Sequence, residues 1–178
     1  MSKHEFMFSG IGGQGVISIG ELLCMTAVAK GLVVTFTPSY GQEKRGGRTM
    51  CQMVVSDKMG SHVISAAELL LVMDERSLKD YEGMVAKGGI LILNSDLIQI
   101  EPARTDIKVL KIPCNTLATE AGSPKAANMV ALGAALKFLT FVSPEEVKEG
   151  LAEIFPGSKA KLIPVNERAI DMGYEAAK

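Results

Sequence analysis

The sequence predicts a layered α/β domain built on a largely parallel sheet, and three observations favour this fold class. Runs rich in β-branched and aliphatic residues alternate with longer runs whose apolar residues recur at helical spacing. The 178 residues match the usual size of one domain, which we expect to span residues 1–178. Hydrophobic residues make up 47% and charged residues 22% of the chain, so we expect a buried core rather than disorder.

The first elements form a strand, helix, strand unit. Glu5–Ser9 is a short apolar strand, and the glycine loop Gly10–Gly15 follows it. Val16–Lys30 carries apolar residues at helical spacing and ends with a cation before a glycine, which is typical of a helix terminus. The β-branched run Leu32–Phe36 predicts the second strand.

A long loop, further strands and one short helix are predicted for the middle of the chain. Thr37–Arg48 contains one proline, three glycines and four charged residues, a composition typical of a loop. The other predicted elements are strands Thr49–Ser56, Glu68–Met73, Ile90–Asn94 and Asp106–Ile112, helix Asp74–Val85, and turns at Ser56–His62 and Lys87–Gly89.

The last third of the chain is predicted to be helical. Ser143 is a suitable cap, with Pro144 in the first position and carboxylates in the first turn, so a helix is expected to begin there and end near Phe155. The other predicted helices are Cys114–Ala121, Pro124–Phe141 and Asn166–Ala177.

Composition excludes several classes of protein. A net charge of −1, a pI near 6.2 and the absence of Trp argue against a nucleic-acid-binding protein. No run of 18 apolar residues predicts a membrane span. Cys24, Cys51 and Cys114 form no CxxC pair, and only His4 and His62 accompany them, so no zinc or iron–sulfur site is expected. An odd number of cysteines without a signal peptide predicts a reducing, cytoplasmic location.

A glycine motif stands between the first strand and the first helix. Gly10, Gly12, Gly13, Gln14 and Gly15 belong to GIGGQG, which matches the GxGxxG pattern in the context that dinucleotide binding requires. However, an NAD site needs an acidic residue after the second strand, and VVTFTPS has none. Two interpretations remain open: a site for a phosphate-type ligand, and a tight turn that allows close packing of the helix.

A second motif, SYGQEKRGGR, follows the second strand. In a parallel sheet it lies at the same edge as the glycine loop, so both loops are expected to face one crevice. Arg45 and Arg48 could contact a phosphate or carboxylate, and Gly46-Gly47 allows backbone conformations that other residues resist. The alternative is a solvated loop.

No catalytic or metal-ligating residue is predicted. The sequence contains neither a GxSxG elbow nor a GxxxxGK[ST] loop, and neither histidine has an evident Cys or Ser partner. This chain is therefore expected to supply binding and positioning rather than covalent chemistry.

The two motifs together resemble the gamma subunit of 2-oxoacid:ferredoxin oxidoreductases. FSGIGGQGV and PSYGQEKRGG carry the resemblance, with NMVALGA at Asn128–Ala134 and NERAIDMG at Asn166–Gly173 extending it over nearly the whole chain. An apolar residue before GGQG, together with SYGxExRGG, is similar to the 2-oxoglutarate or general ketoacid type. Pyruvate-type members tend to have a basic residue at that position.

The resemblance implies a fold, a reaction and partners. The fold would be a three-layer α/β/α domain with a mixed, mostly parallel sheet. The complex would oxidatively decarboxylate a 2-oxoacid to an acyl-CoA and reduce ferredoxin. Thiamine diphosphate, magnesium and iron–sulfur clusters would lie on alpha, beta and sometimes ferredoxin-like delta subunits, while coenzyme A would approach the gamma subunit. The alternatives are a pyruvate, branched-chain or indolepyruvate enzyme, a free-standing nucleotide-binding protein, and a pure assembly protein.

Site residues follow from the two motifs. The residues that we expect to contact coenzyme A or partner subunits are Gly10, Gly12, Gly13, Gln14, Gly15, Tyr40, Gly41, Glu43, Arg45, Gly46, Gly47 and Arg48. Arg48 lies just outside the matched motif.

Overall fold

A computed structural model describes residues 3–43, 46–58 and 64–178 of the chain. Its described residues contain a six-stranded sheet in the order β2-β3-β1-β4-β5-β6. The strands are β1 (His4–Ile11), β2 (Val33–Tyr40), β3 (Arg48–Ser56), β4 (Ala67–Val72), β5 (Val85–Asn94) and β6 (Lys108–Ile112). Strands β1, β4, β5 and β6 pair in parallel, whereas β3 is antiparallel to both β1 and β2.

Helices follow or connect most of the strands. The α-helices are α1 (Val16–Ala29), α2 (Glu75–Tyr81), α3 (Cys114–Ala121), α4 (Ala127–Leu136), α5 (Pro144–Glu149), α6 (Leu151–Ile154) and α7 (Ile163–Ala176). Short 3₁₀ segments occupy Glu82–Met84, Pro124–Ala126 and Gly157–Leu162. Among the residues described, no helix is long and apolar enough to cross a membrane.

Two hydrophobic cores lie on opposite faces of the sheet. Phe6 and Phe8 point from β1 towards one face, where residues of α1 and α3 to α7 join them. Met7 points to the other face, where α2 contributes Leu78. Because neighbouring residues of a strand point to opposite faces, the apolar runs of β1 and β4 contribute side chains to both cores. The sheet is therefore buried on two sides, with a thick helical layer on one and a thin layer on the other.

The second strand is longer than the sequence predicts. Residues 37–40, predicted as part of a loop, continue β2, and Pro38 pairs opposite Cys51 of β3. Proline is tolerated here because β2 is an edge strand, where a missing N–H disrupts no second ladder. The connection to β3 is shortened to residues 41–47.

Two further elements differ from the sequence prediction in their bounds or regularity. The turn predicted at Lys87–Gly89 is a bulge inside β5, where Gly88 has a φ of 74°. The predicted helix over Asp74–Val85 ends at Tyr81 and continues as a 3₁₀ turn.

The C-terminal helices also differ in their bounds. The helix predicted for Pro124–Phe141 is α-helical only over α4, and the last helix begins at Ile163, ahead of Asn166, with a proline in its first turn. The predicted capping of α5 is confirmed, since Ser143 and Glu146 form a capping box. Most of the turn predicted at Ser56–His62 lies outside the described residues.

Candidate functional site

The structure brings the two glycine-rich loops together in one cleft. Thr49 of β3 pairs with both Gly10 of β1 and Tyr40 of β2, so the ends of the two flanking strands meet at the start of β3. The cleft has a volume of about 510 Å³. Its lining residues are Gly12, Gly13, Tyr40, Gly41, Glu43, Gly46, Gly47, Arg48 and Thr49.

Backbone hydrogen bonds fix the two loops to each other. The N–H of Gly12 donates to the carbonyl oxygen of Gly47 at 2.8 Å, and the N–H of Gly41 donates to the carbonyl oxygen of Arg48 at 2.6 Å. Gly13 and Gly46 have φ angles of 99° and 65°, in the left-handed region that favours glycine. A Cβ added at either position would meet no described atom within 4 Å, so conformation rather than space selects glycine there.

Gln14 holds the glycine loop closed from inside. Its Oε1 accepts a hydrogen bond from the N–H of Ile11 at 2.8 Å, and its Nε2 donates to the carbonyl oxygen of Met73 at 3.1 Å. A Cβ added at Gly10 would lie 2.5 Å from Gln14 Oε1. Gln14 therefore joins the loop to the end of β4, and Gly10 leaves room for its amide.

Asn128 holds the other end of the loop. Its Nδ2 donates to the carbonyl oxygen of Gly15 at 3.2 Å, and its side chain lies where a Cβ at Gly15 would be, at 2.5 Å. Gly15, with a φ of 72°, starts α1. No side chain caps this helix start and no acidic residue lies in its first turn, so its partial positive charge is not neutralised locally.

Ion pairs between the second loop and α2 form one wall of the site. Arg48 Nη2 lies 2.9 Å from Asp80 Oδ2, and Arg76 Nη1 lies 3.6 Å from Glu43 Oε1. The Glu43 side chain also fills the space beside Gly41 and Gly47, where an added Cβ would lie 2.4 Å and 3.0 Å from its Oε2. Arg48 Nε is buried without a partner among the described residues. Arg48 is thus paired with a carboxylate through Nη2, while its role as an anion contact stays a prediction.

The predicted site residues fall into three groups. Eight line the cleft: Gly12, Gly13, Tyr40, Gly41, Glu43, Gly46, Gly47 and Arg48. Gly10, Gln14 and Gly15 instead shape the loop, and Arg45 lies outside the described residues. Sequence reasoning missed Thr49, Asn128, Arg76 and Asp80. A polar residue inside the apolar run at Asn128 was a signal that could have indicated a buried amide with a specific partner.

The cleft can bind, but its groups are poorly suited to covalent chemistry. Glycine backbone, the charged side chains of Glu43 and Arg48 and the exposed ring of Tyr40 line it. Within the described ranges, no three His, Cys, Asp or Glu side chains are grouped to hold a metal ion. The nearby Cys51 is an inert thiol, because burial raises its pKa to about 12.

Comparison with known proteins identifies relatives along the whole chain. A family model described as pyruvate ferredoxin/flavodoxin oxidoreductase matches residues 5–176. The ketoisovalerate oxidoreductase subunit VorA of Methanothermobacter thermautotrophicus is 32% identical over 96% of this chain and 35% of that protein. The 2-oxoglutarate synthase subunit KorC of Methanocaldococcus jannaschii is 30% identical over 99% of this chain and 95% of that subunit. The chain therefore spans about a third of VorA and nearly all of KorC.

Solved structures share the fold. The gamma subunit of a keto/oxoacid ferredoxin oxidoreductase from Geobacter sulfurreducens matches with a TM-score of 0.84 and 28% identity, over 98% of both chains. The 2-oxoglutarate:ferredoxin oxidoreductase of Magnetococcus marinus, solved with 2-oxoglutarate, coenzyme A and succinyl-CoA bound, gives 0.89 over 99% of this chain and 31% of that one. At 23% identity the second match shows the fold alone.

These comparisons confirm the fold class and the resemblance inferred from the two motifs. The family model extends over both glycine-rich loops and the C-terminal helices. The chain belongs to the pyruvate ferredoxin/flavodoxin oxidoreductase family.

Proposed function

We propose that this chain is the gamma-type subunit of a 2-oxoacid:ferredoxin oxidoreductase, in which it positions coenzyme A. The observation that carries this proposal is the cleft, because the two motifs that mark the family meet in it and line it largely with glycine backbone. Thiamine diphosphate, magnesium and iron–sulfur clusters are then held by alpha, beta and ferredoxin-like subunits, and ferredoxin accepts the electrons. We also propose a cytoplasmic location, because three cysteines without a CxxC pair suit a reducing compartment.

For the substrate, we propose 2-oxoglutarate. Support comes from KorC, which matches this chain as a subunit of nearly the same length. Branched-chain 2-oxoacids are the second candidate, because the VorA match is slightly more identical, at 32% against 30%. Assays of the assembled enzyme with 2-oxoglutarate and with ketoisovalerate distinguish the two, since the true substrate should show the higher kcat/KM.

The role of the cleft is tested by Gly12→Ala. The nearest described atoms to an added Cβ at Gly12 belong to Gly46 and Gly47 and lie 3.7 to 3.8 Å away, which is ordinary van der Waals contact. The methyl group therefore fits the fold while occupying the cleft. If the pantetheine or phosphate portion of coenzyme A approaches this backbone, the KM for coenzyme A should rise several-fold with kcat little changed. The matched control is Gly83→Ala, because that glycine is exposed and an added Cβ there meets nothing within 4 Å.

The other possible results of the Gly12→Ala experiment also distinguish the roles of the cleft. An unchanged KM in an intact complex would show that coenzyme A does not contact the cleft. Loss of assembly would favour a pure interface role for the two loops. Arg45→Ala is expected to raise the same KM if Arg45 contacts a phosphate.

The subunit proposal itself is tested by anaerobic purification of the tagged chain from its own cells. Larger subunits carrying thiamine diphosphate and iron should follow it through the column and be identified by mass spectrometry. Recovery of the chain alone, with a thermal shift in the presence of NAD or NADP, would instead support an independent nucleotide-binding protein.

A further inference from the structure

A second cavity lies on the helix-covered side of the glycine loop. It has a volume of about 310 Å³, and it shares no lining residue with the cleft between the two loops. This volume is at the lower end of the range of small-molecule sites, roughly 300–1,000 Å³. Side chains from α1, α4, α6 and the start of α7 form its walls, including the apolar groups of Met129, Ile154, Phe155 and Val165. The cavity can therefore hold a small ligand with an apolar or planar body.

The charged residues of this cavity are all cationic. Lys125 and Lys159 line it, and no Asp or Glu of the described residues does. Neither ammonium group forms an ion pair with a described carboxylate, whereas Lys30, Lys111 and Lys148 all do. In a chain with slightly more acidic than basic residues, such a cavity attracts an anion.

Two buried amides give the cavity a second kind of specificity. Asn128 and Asn166 both line it and are only 9% and 6% exposed. The Nδ2 of each is already used, by the carbonyl oxygens of Gly15 at 3.2 Å and of Leu162 at 2.7 Å. The side-chain oxygen of each has no partner among the described residues. Each oxygen is reached by solvent rather than sealed in the core, so it can accept a hydrogen bond from a ligand with N–H or O–H donors.

We propose that this cavity binds a nucleotide. Its phosphates would lie at Lys125 and Lys159, its base or sugar would donate hydrogen bonds to Asn128 and Asn166, and its planar part would pack against Phe155. Ser18, in the first turn of the uncapped α1, also lines the cavity, so the positive end of that helix supports the same charge pattern. This inference holds whether or not coenzyme A occupies the cleft, because it rests on different residues.

The test is titration of the full chain with ADP by isothermal calorimetry. We expect saturable binding of one ADP, which the double variant K125A/K159A weakens at least tenfold. The matched control is Lys161→Ala, because Lys161 is an exposed lysine of the same 3₁₀ segment as Lys159 but does not line the cavity. Since these lysines are exposed, all variants should keep the same thermal midpoint in the absence of ADP.

Three results would overturn the proposal. One is the absence of ADP binding, and another is equal binding by K125A/K159A and the unmodified chain. The third is an equal loss of ADP binding in Gly12→Ala, which would place ADP in the cleft. Inorganic pyrophosphate and adenosine test the two halves of the site: each should bind more weakly than ADP, and pyrophosphate binding as tightly as ADP would refute the nucleotide assignment. Because none of these measurements uses the assembled enzyme, failure here leaves the proposed subunit function intact.

Discussion

At the scale of single residues, two amide side chains, those of Gln14 and Asn128, hold the glycine loop in place. Gln14 connects the loop to the carbonyl oxygen of Met73, and Asn128 connects it to α4. The glycines make these contacts possible, because a Cβ at Gly10 or Gly15 would displace the two amides. Part of the motif thus packs the turn, as the second interpretation predicts. Gly12 and Gly13 face the cleft, where binding of a phosphate-type ligand stays a prediction.

Replacement of Gln14 by alanine should destabilise the chain. The substitution leaves the N–H of Ile11 and the carbonyl oxygen of Met73 without their partner in a partly buried place, which costs about 1–3 kcal/mol in the free energy of unfolding. Urea unfolding followed by circular dichroism measures this change. The matched control is Gln99→Ala, which removes one exposed hydrogen bond to Ser95 and should change the free energy by less than about 0.5 kcal/mol. Equal effects of the two substitutions would contradict the structural role of Gln14.

How well the site could be predicted depends on how local each requirement is. The positive φ angles of Gly13 and Gly46 are properties of a few neighbouring residues, so glycine marks them in the sequence. The contact between Gly15 and Asn128 joins residues 113 positions apart, and the pairing of Arg48 with Asp80 depends on where α2 packs. A sequence pattern contains no information about which distant residues meet in the fold, so neither the Gly15–Asn128 contact nor the Arg48–Asp80 pair could be predicted.

At the scale of elements, helix α4 is buried on all sides and meets α7 backbone to backbone. A Cβ at Gly133 would lie 2.0 Å from the carbonyl oxygen of Ile170, and one at Gly173 would lie 1.9 Å from that of Val130. Every residue of α4 is buried, so the helix cannot move aside without opening the core. The sequence predicted a helix over Pro124–Phe141, but which of its glycines touch a neighbouring backbone depends on how the two helices cross.

Gly133→Ala should therefore reverse the usual effect of this substitution. In a free helix, alanine is more stable than glycine by roughly 0.5–1 kcal/mol. Here the methyl group must push α4 and α7 apart, and overpacking of this kind costs about 1–3 kcal/mol or more. Thermal unfolding of Gly133→Ala, with Gly83→Ala as the control in open space, measures the difference. A midpoint for Gly133→Ala at or above that of the control would show that the two helices are not packed this closely.

At the scale of the whole molecule, the strand order followed only partly from the sequence. Strands separated by helices predicted the parallel part of the sheet, and β1, β4, β5 and β6 confirm it. The resemblance implied a mixed sheet, but the patterns along the chain did not predict that β3 is the antiparallel strand or that it lies between β2 and β1. Two strands joined by a short loop usually pair antiparallel. Because Pro38 and the glycines predicted a loop over Thr37–Arg48, the connection between β2 and β3 was predicted to be longer than the residues 41–47 observed, and the antiparallel pairing was not inferred.

The three cysteines report how cooperatively the whole molecule opens. Cys51 and Cys114 are completely buried in the core on the helical side of the sheet, and burial raises the pKa of both thiols, that of Cys51 to about 12. Cys24 on α1 is half-buried, and burial raises its pKa as well. The thiolate is the reactive species, and it forms only when a thiol reaches solvent.

At pH 8, a thiol reagent should therefore label Cys24 well before Cys51 and Cys114, whereas in 8 M urea all three should react at similar rates. Mass spectrometry of peptides from samples quenched over time gives the three rates. Because Cys51 lies in β3 and Cys114 starts α3, their labelling in native buffer should proceed at one common rate, set by opening of the whole domain. If Cys51 reacts much faster than Cys114, β2 and β3 open separately from the rest of the sheet, and the cleft that they help to form would open with them.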